Sequence, residues 1–517
     1  NVEFGIESHR LPGGKEAEQA LKSLIHRFVR PFEMARAPLI RVGLAETGKD
    51  KYLLMVDVHH AVSDGMSLEI LTREFLMIYC GETLPPIYLQ YKDYAAWRNV
   101  GIMKKALEKQ EEYWKKQYND NYPVLAMPTD YPRPRIQGYE GSTLGFEIGK
   151  EQTAQLRQMA AEKQGTLYMV LLALFNIFLE KLTGQEDIIV GTDLSGRSHS
   201  DQESTIGMFV NTLAFRNYPS AGKTFGEFLE EVKENTLNAF ENQEYPFEEL
   251  VETLNIERDS SRNPLFDVMF SYLDFKGGPG AFETPGTFDL KVEPFPYTAG
   301  VAKFDISLIG TEAGESTALT FEYSTKLYKE ETIRRYAGYF KEIAASVIKK
   351  PGESIGEISI LTRQEKQQIL EEFNSNRGEY SRDRSIHHQV AGQAGKNPDR
   401  VALELGEAGM TYRQLDGEAQ RLARCLTDRG VRADSLVGIL LERTPGMVKS
   451  ILAVWKAGGA YIPLDTRTPP HRVREIIKDS GSRVLITESK YEAAKPEAGT
   501  GGVIIRLDEP REVAAAG

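Results

Sequence analysis

The chain has 517 residues, 41% of them hydrophobic, which is enough to bury more than one core and excludes wholesale disorder. Its formal net charge is −12 and no lysine or arginine stripe stands out, which argues against nucleic acid and anionic membranes as partners. Its two cysteines, Cys80 and Cys425, lie far apart in sequence. They predict neither a disulfide framework nor a cysteine zinc site, and they fit a reducing cytoplasm.

A strand, a break and a helix are predicted near the first histidine pair. Residues 51–58, "KYLLMVDV", are rich in apolar and β-forming residues and predict a strand. Gly65 breaks this pattern. A helix is then predicted from apolar residues at helical spacing, namely Leu68, Leu71, Phe75 and Ile78. His59 and His60 therefore fall at the end of a strand, and Asp64 falls where the next helix begins.

The middle of the chain alternates helical and strand patterns. A charged amphipathic helix is predicted over residues 98–118, and the proline-rich turn at 127–135 predicts a crossing between two lobes. Residues 152–182 contain two helical patterns, and the apolar run 168–179 is too short to span a bilayer and indicates a buried helix. Strands are predicted in "EDIIVGTDLSGR", "DVMFSYLDF" and "STALTFEYS", and helices over 225–240 and 330–349.

Composition changes near residue 363. Residues 363–385 are polar and charged, and they predict a linker. Beyond it, "RVALELGEAGMTYRQL" is typical of a hairpin, and helices then alternate with the strands "SLVGILLE" and "AYIPLD". Strands that alternate with helices favour a parallel α/β sheet for residues 386–517.

The stretch "HHAVSDG", residues 59–65, leaves three interpretations open from pattern alone: catalysis, metal binding and a structural strand end. Zinc is disfavoured because neighbouring strand residues point to opposite faces and no third ligand is obvious nearby. We therefore expect no metal. If strand geometry holds through both histidines, only one of them can face a cleft.

Five segments resemble, in order, the motifs of nonribosomal peptide synthetase condensation domains. "HHAVSDG" is similar to the His-His-x-x-x-Asp-Gly motif of that family. The other four are "YKDYAAW" at 91–97, "IGMFVNTLAFR" at 206–216, "NQEYPFEELVE" at 242–252 and "RDSSRNPLFDVMF" at 258–270. The resemblance covers residues 1–362. The two motifs that precede the histidines in the family are missing, so we expect an incomplete N-terminal lobe over 1–130 and a C-terminal lobe over 131–362.

The remainder resembles the start of an adenylation domain. "MTYRQL" at 410–415 and "WKAGGAYIPLD" at 455–465 are similar to two adenylation motifs, with Gln414 where the family has glutamate. Gly458 and Gly459 are interpreted as structural, at the junction of a helix and a strand. The phosphate loop for ATP does not occur before Gly517. We therefore expect a fragment cut at both ends. Its adenylation part is expected to be too incomplete to be active. ATP and Mg²⁺ would be required only by the complete adenylation domain.

The resemblance implies an α/β fold with two lobes like those of chloramphenicol acetyltransferase and a tunnel between them. It also implies peptide-bond formation between two thioesters, each held on the phosphopantetheine arm of an upstream or downstream carrier domain of the same synthetase. Because thioesters are already activated, the condensation domain itself would need no metal or cofactor. The "SDGMS" context looks most like domains that take an L-configured donor.

Residue roles follow from the same resemblance. His60 is expected to face the cleft, as a general base or as a positioner of the attacking amine. His59 is expected to point inward and hold the loop. Gly65 is expected to leave its N–H open to substrate.

Two further candidates concern support of the loop. Asp64 is expected to organise it, and a buried carboxylate there needs a cationic partner, for which Arg197 is the candidate across the lobes. A solvated Arg197 is the competing interpretation. Asn211 could line the cleft or serve strand pairing.

Three alternative functions compete. An epimerisation domain shares the histidine motif, but the downstream adenylation-like segment favours condensation. A non-catalytic recruitment module of the same fold is expected to lose the histidines, and both are present here. A free-standing acyltransferase that uses coenzyme A is disfavoured by the fused adenylation-like segment.

Overall fold

A computed structural model describes residues 4–12, 17–98, 101–118, 122–273, 290–293, 295, 297, 300–376, 378, 384–494 and 502–509. The chain divides into two compact units, residues 1–374 and 375–517. Among the described residues, no single helix is long and apolar enough to cross a membrane. Taken together, the helices Lys150–Glu162 and Leu167–Thr183 have the length and apolar composition of a membrane span, but they are bent by 104° relative to each other.

The first unit contains nine strands and ten α-helices in its described part. The strands are β1 (Ile6–Arg10), β2 (Ile40–Gly48), β3 (Lys51–Val58), β4 (Gly141–Ile148), β5 (Ile188–Leu194), β6 (Asn211–Asn217), β7 (Val268–Leu273), β8 (Ile306–Ala313) and β9 (Ser316–Ser324). The helices are α1 (Ala17–Phe28), α2 (Gly65–Tyr79), α3 (Tyr91–Arg98), α4 (Gly101–Gln117), α5 (Lys150–Glu162), α6 (Leu167–Thr183), α7 (Phe225–Glu241), α8 (Phe247–Thr253), α9 (Glu330–Lys349) and α10 (Arg363–Gln367).

Two sheets organise this unit. The smaller has the order β1-β2-β3, with β1 parallel to β2 and β2 antiparallel to β3. The larger has the order β4-β9-β8-β7-β5-β6, in which β5 and β8 each run parallel to β7 and the other pairs are antiparallel. The larger sheet buries one face against helices α5, α6, α7 and α9 in a single hydrophobic core.

Helix α6 shows why the apolar run forms a core helix. Thr166 caps its first turn by accepting a hydrogen bond from the N–H of Met169, and Gly184 ends it in the left-handed region at φ 69°. Every side chain from Met169 to Glu180 is buried. The prediction of a buried helix in this run is confirmed, because a helix that is apolar on all sides must be surrounded by protein.

The second unit has a small hairpin and a parallel sheet. Its strands are β10 (Val401–Leu405), β11 (Ala408–Thr411), β12 (Leu436–Leu440), β13 (Ala460–Leu464), β14 (Val484–Thr487) and β15 (Val503–Arg506), and its helices are α11 (Ile386–Lys396), α12 (Tyr412–Asp428), α13 (Pro445–Lys456) and α14 (Pro470–Ser480). Strands β10 and β11 pair antiparallel. The sheet order is β13-β12-β14-β15, and all its pairs are parallel. The predicted hairpin and parallel α/β sheet are confirmed.

Most elements predicted for the first unit are also present, three of them with unchanged limits, β3, β9 and α9. Two expectations need correction. The helix predicted over 98–118 is present as α4, with limits of Gly101–Gln117, and Arg98 belongs to α3. The predicted linker 363–385 contains α10 and a π-helical turn over Gln368–Glu372, because Thr362 and Glu365 form a capping box that nucleates a helix in this polar stretch.

The residues that α2 buries differ from the apolar residues whose spacing predicts the helix. The helix forms, but its buried residues are Ser67, Ile70 and Leu76. Phe75 and Ile78, two of the apolar residues that predict the helix, are 44% and 59% exposed. The apolar periodicity therefore identified the helix correctly without identifying the face that packs against the described part of the unit.

Candidate active site

The two histidines leave β3 in different environments. The strand ends at Val58, so neither histidine is part of it. Instead, His59 caps a 3-10 turn that begins at His60. The Nδ1 of His59 accepts a hydrogen bond of 3.0 Å from the N–H of Ala61, and its half-buried ring meets Phe32 edge-on at 6.0 Å between centroids. His59 therefore stabilises the turn, whereas His60 is exposed.

The tautomer of His60 follows from one hydrogen bond. Its Nδ1 lies 2.8 Å from the carbonyl oxygen of Ser63. A carbonyl oxygen can only accept, so Nδ1 must carry the proton. In the neutral ring, Nε2 then has a free lone pair, and no described residue hydrogen-bonds to it. The backbone of the turn thus prepares His60 to accept a proton at Nε2.

Asp64 and Arg197 form a buried, two-pronged ion pair. The distances are 2.7 Å from Arg197 Nη1 to Asp64 Oδ2 and 3.1 Å from Arg197 Nη2 to Asp64 Oδ1. The side chain of Arg197 is 2% exposed and that of Asp64 is 0% exposed. Asp64 also accepts from the backbone N–H groups of Ser67, at 2.8 Å, and Phe209, at 3.1 Å. The pairing predicted from sequence is confirmed, and the interpretation of Arg197 as a solvated loop residue is wrong.

The electrostatics of Asp64 reflect two opposed effects. Burial alone would raise the pKa of its carboxyl group. The hydrogen bonds from Arg197, Ser67 and Phe209 outweigh burial and hold the pKa below its ordinary value. Asp64 is therefore ionised near neutral pH, and as the N-cap of α2 it fixes the start of that helix.

Ser67 and the loop before β6 extend this connection. The Oγ of Ser67 donates to the carbonyl oxygen of Gly207 at 2.9 Å and accepts from the N–H of the same residue at 3.0 Å. Arg197 Nη2 lies 3.1 Å from Ser67 Oγ, and the guanidinium carbon lies 4.4 Å from the ring centroid of Phe209. The first turn of α2 is thereby fastened to the C-terminal part of the unit.

The second and third motifs meet at this loop. The hydroxyl of Tyr91 donates to the carbonyl oxygen of Met208 at 2.8 Å, and its ring packs edge-on against Phe209. A Cβ atom at Gly207 would lie 2.1 Å from the Tyr91 ring, so glycine is required for this approach. Three motifs that are separate in sequence therefore form one connected structure around Asp64.

Gly65 and Asn211 occupy contrasting positions. Gly65 is the exposed first residue of α2, and a Cβ placed there would meet nothing within 4 Å. Asn211 begins β6 opposite Leu194, and its amide nitrogen donates to the carbonyl oxygens of Gln243 and Tyr245 at 2.7 and 2.8 Å. Asn211 thus takes part in the pairing of β6 with β5, and its side chain holds the loop before α8.

The last motif contributes a second buried charge cluster. Arg133, in the predicted lobe crossing, forms a two-pronged ion pair with Asp305, and Arg262 pairs with Asp267. Burial, helped by the neighbouring Asp305 carboxylate, raises the pKa of Asp267 to about 6 despite Arg262. The cluster ties the crossing segment to the start of β7.

Among the described residues, no group of three or more histidine, cysteine or acidic side chains is placed so that it could hold a metal ion. Sequence reasoning missed Ser67, Tyr91 and Phe209 as supports of Asp64. Tyr91 and Phe209 lie in quoted motifs, but nothing in the chain order indicates that these two segments touch.

Comparison with known proteins identifies two families along the chain. Residues 2–370 match the family model of the condensation domain, and residues 390–516 match that of the AMP-binding enzymes. The chain belongs to the condensation-domain family of nonribosomal peptide synthetases and continues into an AMP-binding segment.

Individual relatives are much longer than this chain. It is 43% identical over 492 residues to tyrocidine synthase 3 of Brevibacillus parabrevis, covering 95% of this chain and 8% of the relative, and 42% identical over 492 residues to gramicidin S synthase 2 of Aneurinibacillus migulanus, covering 95% and 11%. Its fold resembles the crystal structure of a four-domain nonribosomal peptide synthetase bound to AMP and glycine, with a TM-score of 0.78, 22% identity and coverage of 100% of this chain and 39% of that one.

Proposed function

We propose that the first unit joins two carrier-bound thioesters by forming a peptide bond, with His60 as the group that handles the proton. The observation that carries this proposal is the Nδ1 contact to the Ser63 carbonyl, which leaves Nε2 of an exposed imidazole free to accept. The family to which the chain belongs and the names of its relatives support the reaction class.

The proposed reaction transfers an acyl group from sulfur to nitrogen. The α-amine of the acceptor thioester attacks the carbonyl carbon of the donor thioester and forms the new C–N bond. The amine loses one proton to Nε2 of His60, the C–S bond breaks, and the departing thiolate takes that proton back. The products are a peptidyl thioester on the acceptor carrier and a free thiol on the donor carrier.

Most of the rate enhancement would come from holding the two thioesters together, because orientation removes a large entropic barrier. The exposed first turn of α2 at Gly65 offers a backbone N–H near the developing oxyanion. Asp64 and Arg197 contribute indirectly, because their ion pair fixes the turn that carries His60.

The proposed partners are upstream and downstream carrier domains whose phosphopantetheine arms present the substrates. The thioesters supply the activation, so the condensation step needs no further cofactor. ATP belongs to the adenylation reaction of AMP-binding domains, and no step of the proposed condensation passes through it.

The test is replacement of His60 in a protein that joins this chain to its flanking segments, assayed with loaded carrier domains. His60→Ala should lower dipeptidyl thioester formation about 100- to 10,000-fold if His60 is the base, and less if it only positions the amine. Binding of the loaded carriers should be unchanged. Product formation at the parent rate from pH 6 to 9 would refute a role for His60, and a D-configured product from an L-peptidyl carrier would favour epimerisation.

A further inference from the structure

The large sheet of the first unit has a second face with a different chemistry. Thr192, Phe270 and Phe321 point to the helical layer and are buried there. Side chains alternate along strands, so Asp193 and Ser271 point to the opposite face. Described residues of the central strands on that face are buried, as Ser271 and Ser307 are, or half-buried, as Asp193 is, and several are polar.

Asp193 and Ser271 are partners on this face. Their strands, β5 and β7, run parallel with Gly191 opposite Met269, which places Asp193 beside Ser271. The Ser271 hydroxyl donates to Oδ1 of Asp193. The serine orients the carboxylate, but it carries no charge that could neutralise it.

The absence of a counter-charge sets Asp193 apart from other half-buried or buried aspartates in this unit. Within the described residues, five of these form ion pairs with arginine: Asp57 with Arg41, Asp64 with Arg197, Asp187 with Arg216, Asp267 with Arg262, and Asp305 with Arg133. Asp193 has no lysine, arginine or histidine within ion-pair distance among them. A partly buried carboxylate without a cation is costly, and a bound cation would offset that cost.

The position of Asp193 connects it to the candidate active site. Asp193 lies opposite Thr212 in β6. Phe209 precedes Thr212 by three residues, and its N–H donates a hydrogen bond to Asp64. Phe209 belongs to the segment that leads directly into β6, which begins at Asn211. Arg197, the partner of Asp64, follows Asp193 by four residues in the same chain segment.

We propose that Asp193, oriented by Ser271, determines substrate specificity by binding a cationic side chain, an ammonium or guanidinium group, of one of the joined aminoacyl thioesters. This inference rests on the proposed function and adds the class of substrate to it. A basic side chain matches the unpaired carboxylate in charge, and a charge-assisted hydrogen bond gives both affinity and discrimination against a neutral isostere.

The experiment measures binding of two non-hydrolysable probes to the chain by calorimetry. The first is ornithine linked to pantetheine through an amide, and the second is the same compound with norleucine, whose terminal methyl group replaces the ammonium. Each probe is used with a free α-amine, as an acceptor analogue, and with an acetylated α-amine, as a donor analogue. We expect the ornithine probe to bind about 10- to 100-fold more tightly than the norleucine probe in one of the two forms.

Asp193→Asn is the informative variant because it keeps the shape and removes the charge. It should abolish the preference for ornithine and leave binding of the acetylated norleucine probe within about twofold of the parent. Ser271→Ala, which retains the charge, should reduce the preference in part. Asp201→Asn, at an exposed aspartate of the 3-10 turn Ser200–Gln202, is the matched control and should change nothing.

Each other outcome has a defined meaning. Equal affinity for ornithine and norleucine probes would overturn the inference and leave the proposed reaction intact. An equal loss of free-amine norleucine binding in Asp193→Asn would show that Asp193 binds the α-ammonium group, which also overturns it. Failure of every probe to bind would count against both the inference and the proposed substrate site.

Discussion

The ion pair of Asp64 and Arg197 permits a quantitative prediction. Asp64→Ala removes the acceptor of hydrogen bonds from Arg197, Ser67 and Phe209, and it leaves a guanidinium that is 2% exposed. Breaking a buried pair by removing one partner typically costs about 3–5 kcal/mol, because the other charge stays buried without compensation. Arg197 keeps hydrogen bonds to Ser67 Oγ and to the carbonyl oxygen of Thr205, so the lower end of that range is expected.

Arg197→Ala should have a comparable cost, because Asp64 then keeps its hydrogen bonds from Ser67 and Phe209 but loses its positive partner. The double variant should be little worse than either single variant, since neither charge remains. Because folding lowers the pKa of Asp64, its contribution is present above the unfolded pKa of about 4 and is lost as the pH falls through the lowered folded value.

The assay is urea unfolding followed by tryptophan fluorescence. The chain has three tryptophans, and Trp455 is the one in the second unit. A Trp455→Phe background therefore restricts the signal to Trp97 and Trp114 of the first unit. Losses that add fully in the double variant would show that the two residues do not interact energetically, and the structural argument would then be wrong.

Three further predictions use the same assay. Gly207→Ala should destabilise the first unit by about 1–3 kcal/mol because its Cβ would meet the Tyr91 ring, whereas Gly145→Ala, where a Cβ meets nothing within 4 Å, should cost less. The free energy of unfolding of the parent, relative to that of Asp267→Asn, should fall as the pH rises from 4 to 7, because a carboxyl group with a folded pKa of about 6 stabilises the fold while it is protonated. A difference in unfolding free energy that does not change with pH would contradict this. His59→Ala should lower the unfolding free energy as well as the rate, and an unchanged unfolding midpoint would contradict its structural role.

Local pattern determined the main elements of both units. Strand β3 follows from its run of β-forming residues, α6 from an apolar run, and α9 from amphipathic periodicity. The ion pair of Asp64 with Arg197 could also be predicted, because a buried carboxylate requires a cation and few loops offer one. These inferences succeed because each depends on the energetics of one segment or of one charge.

Only the tertiary structure decided how these elements support the site. The tautomer of His60 depends on the direction of the Ser63 carbonyl, and the space for Tyr91 depends on a glycine more than a hundred residues away in sequence. The partnership of Asp193 with Ser271 depends on strand order, which places β7 beside β5 on the side opposite β6. Hydrophobic periodicity indicates that a segment has a buried face, but it does not identify the segment that packs against that face. Contacts between distant segments are therefore determined only by the packing of the whole unit.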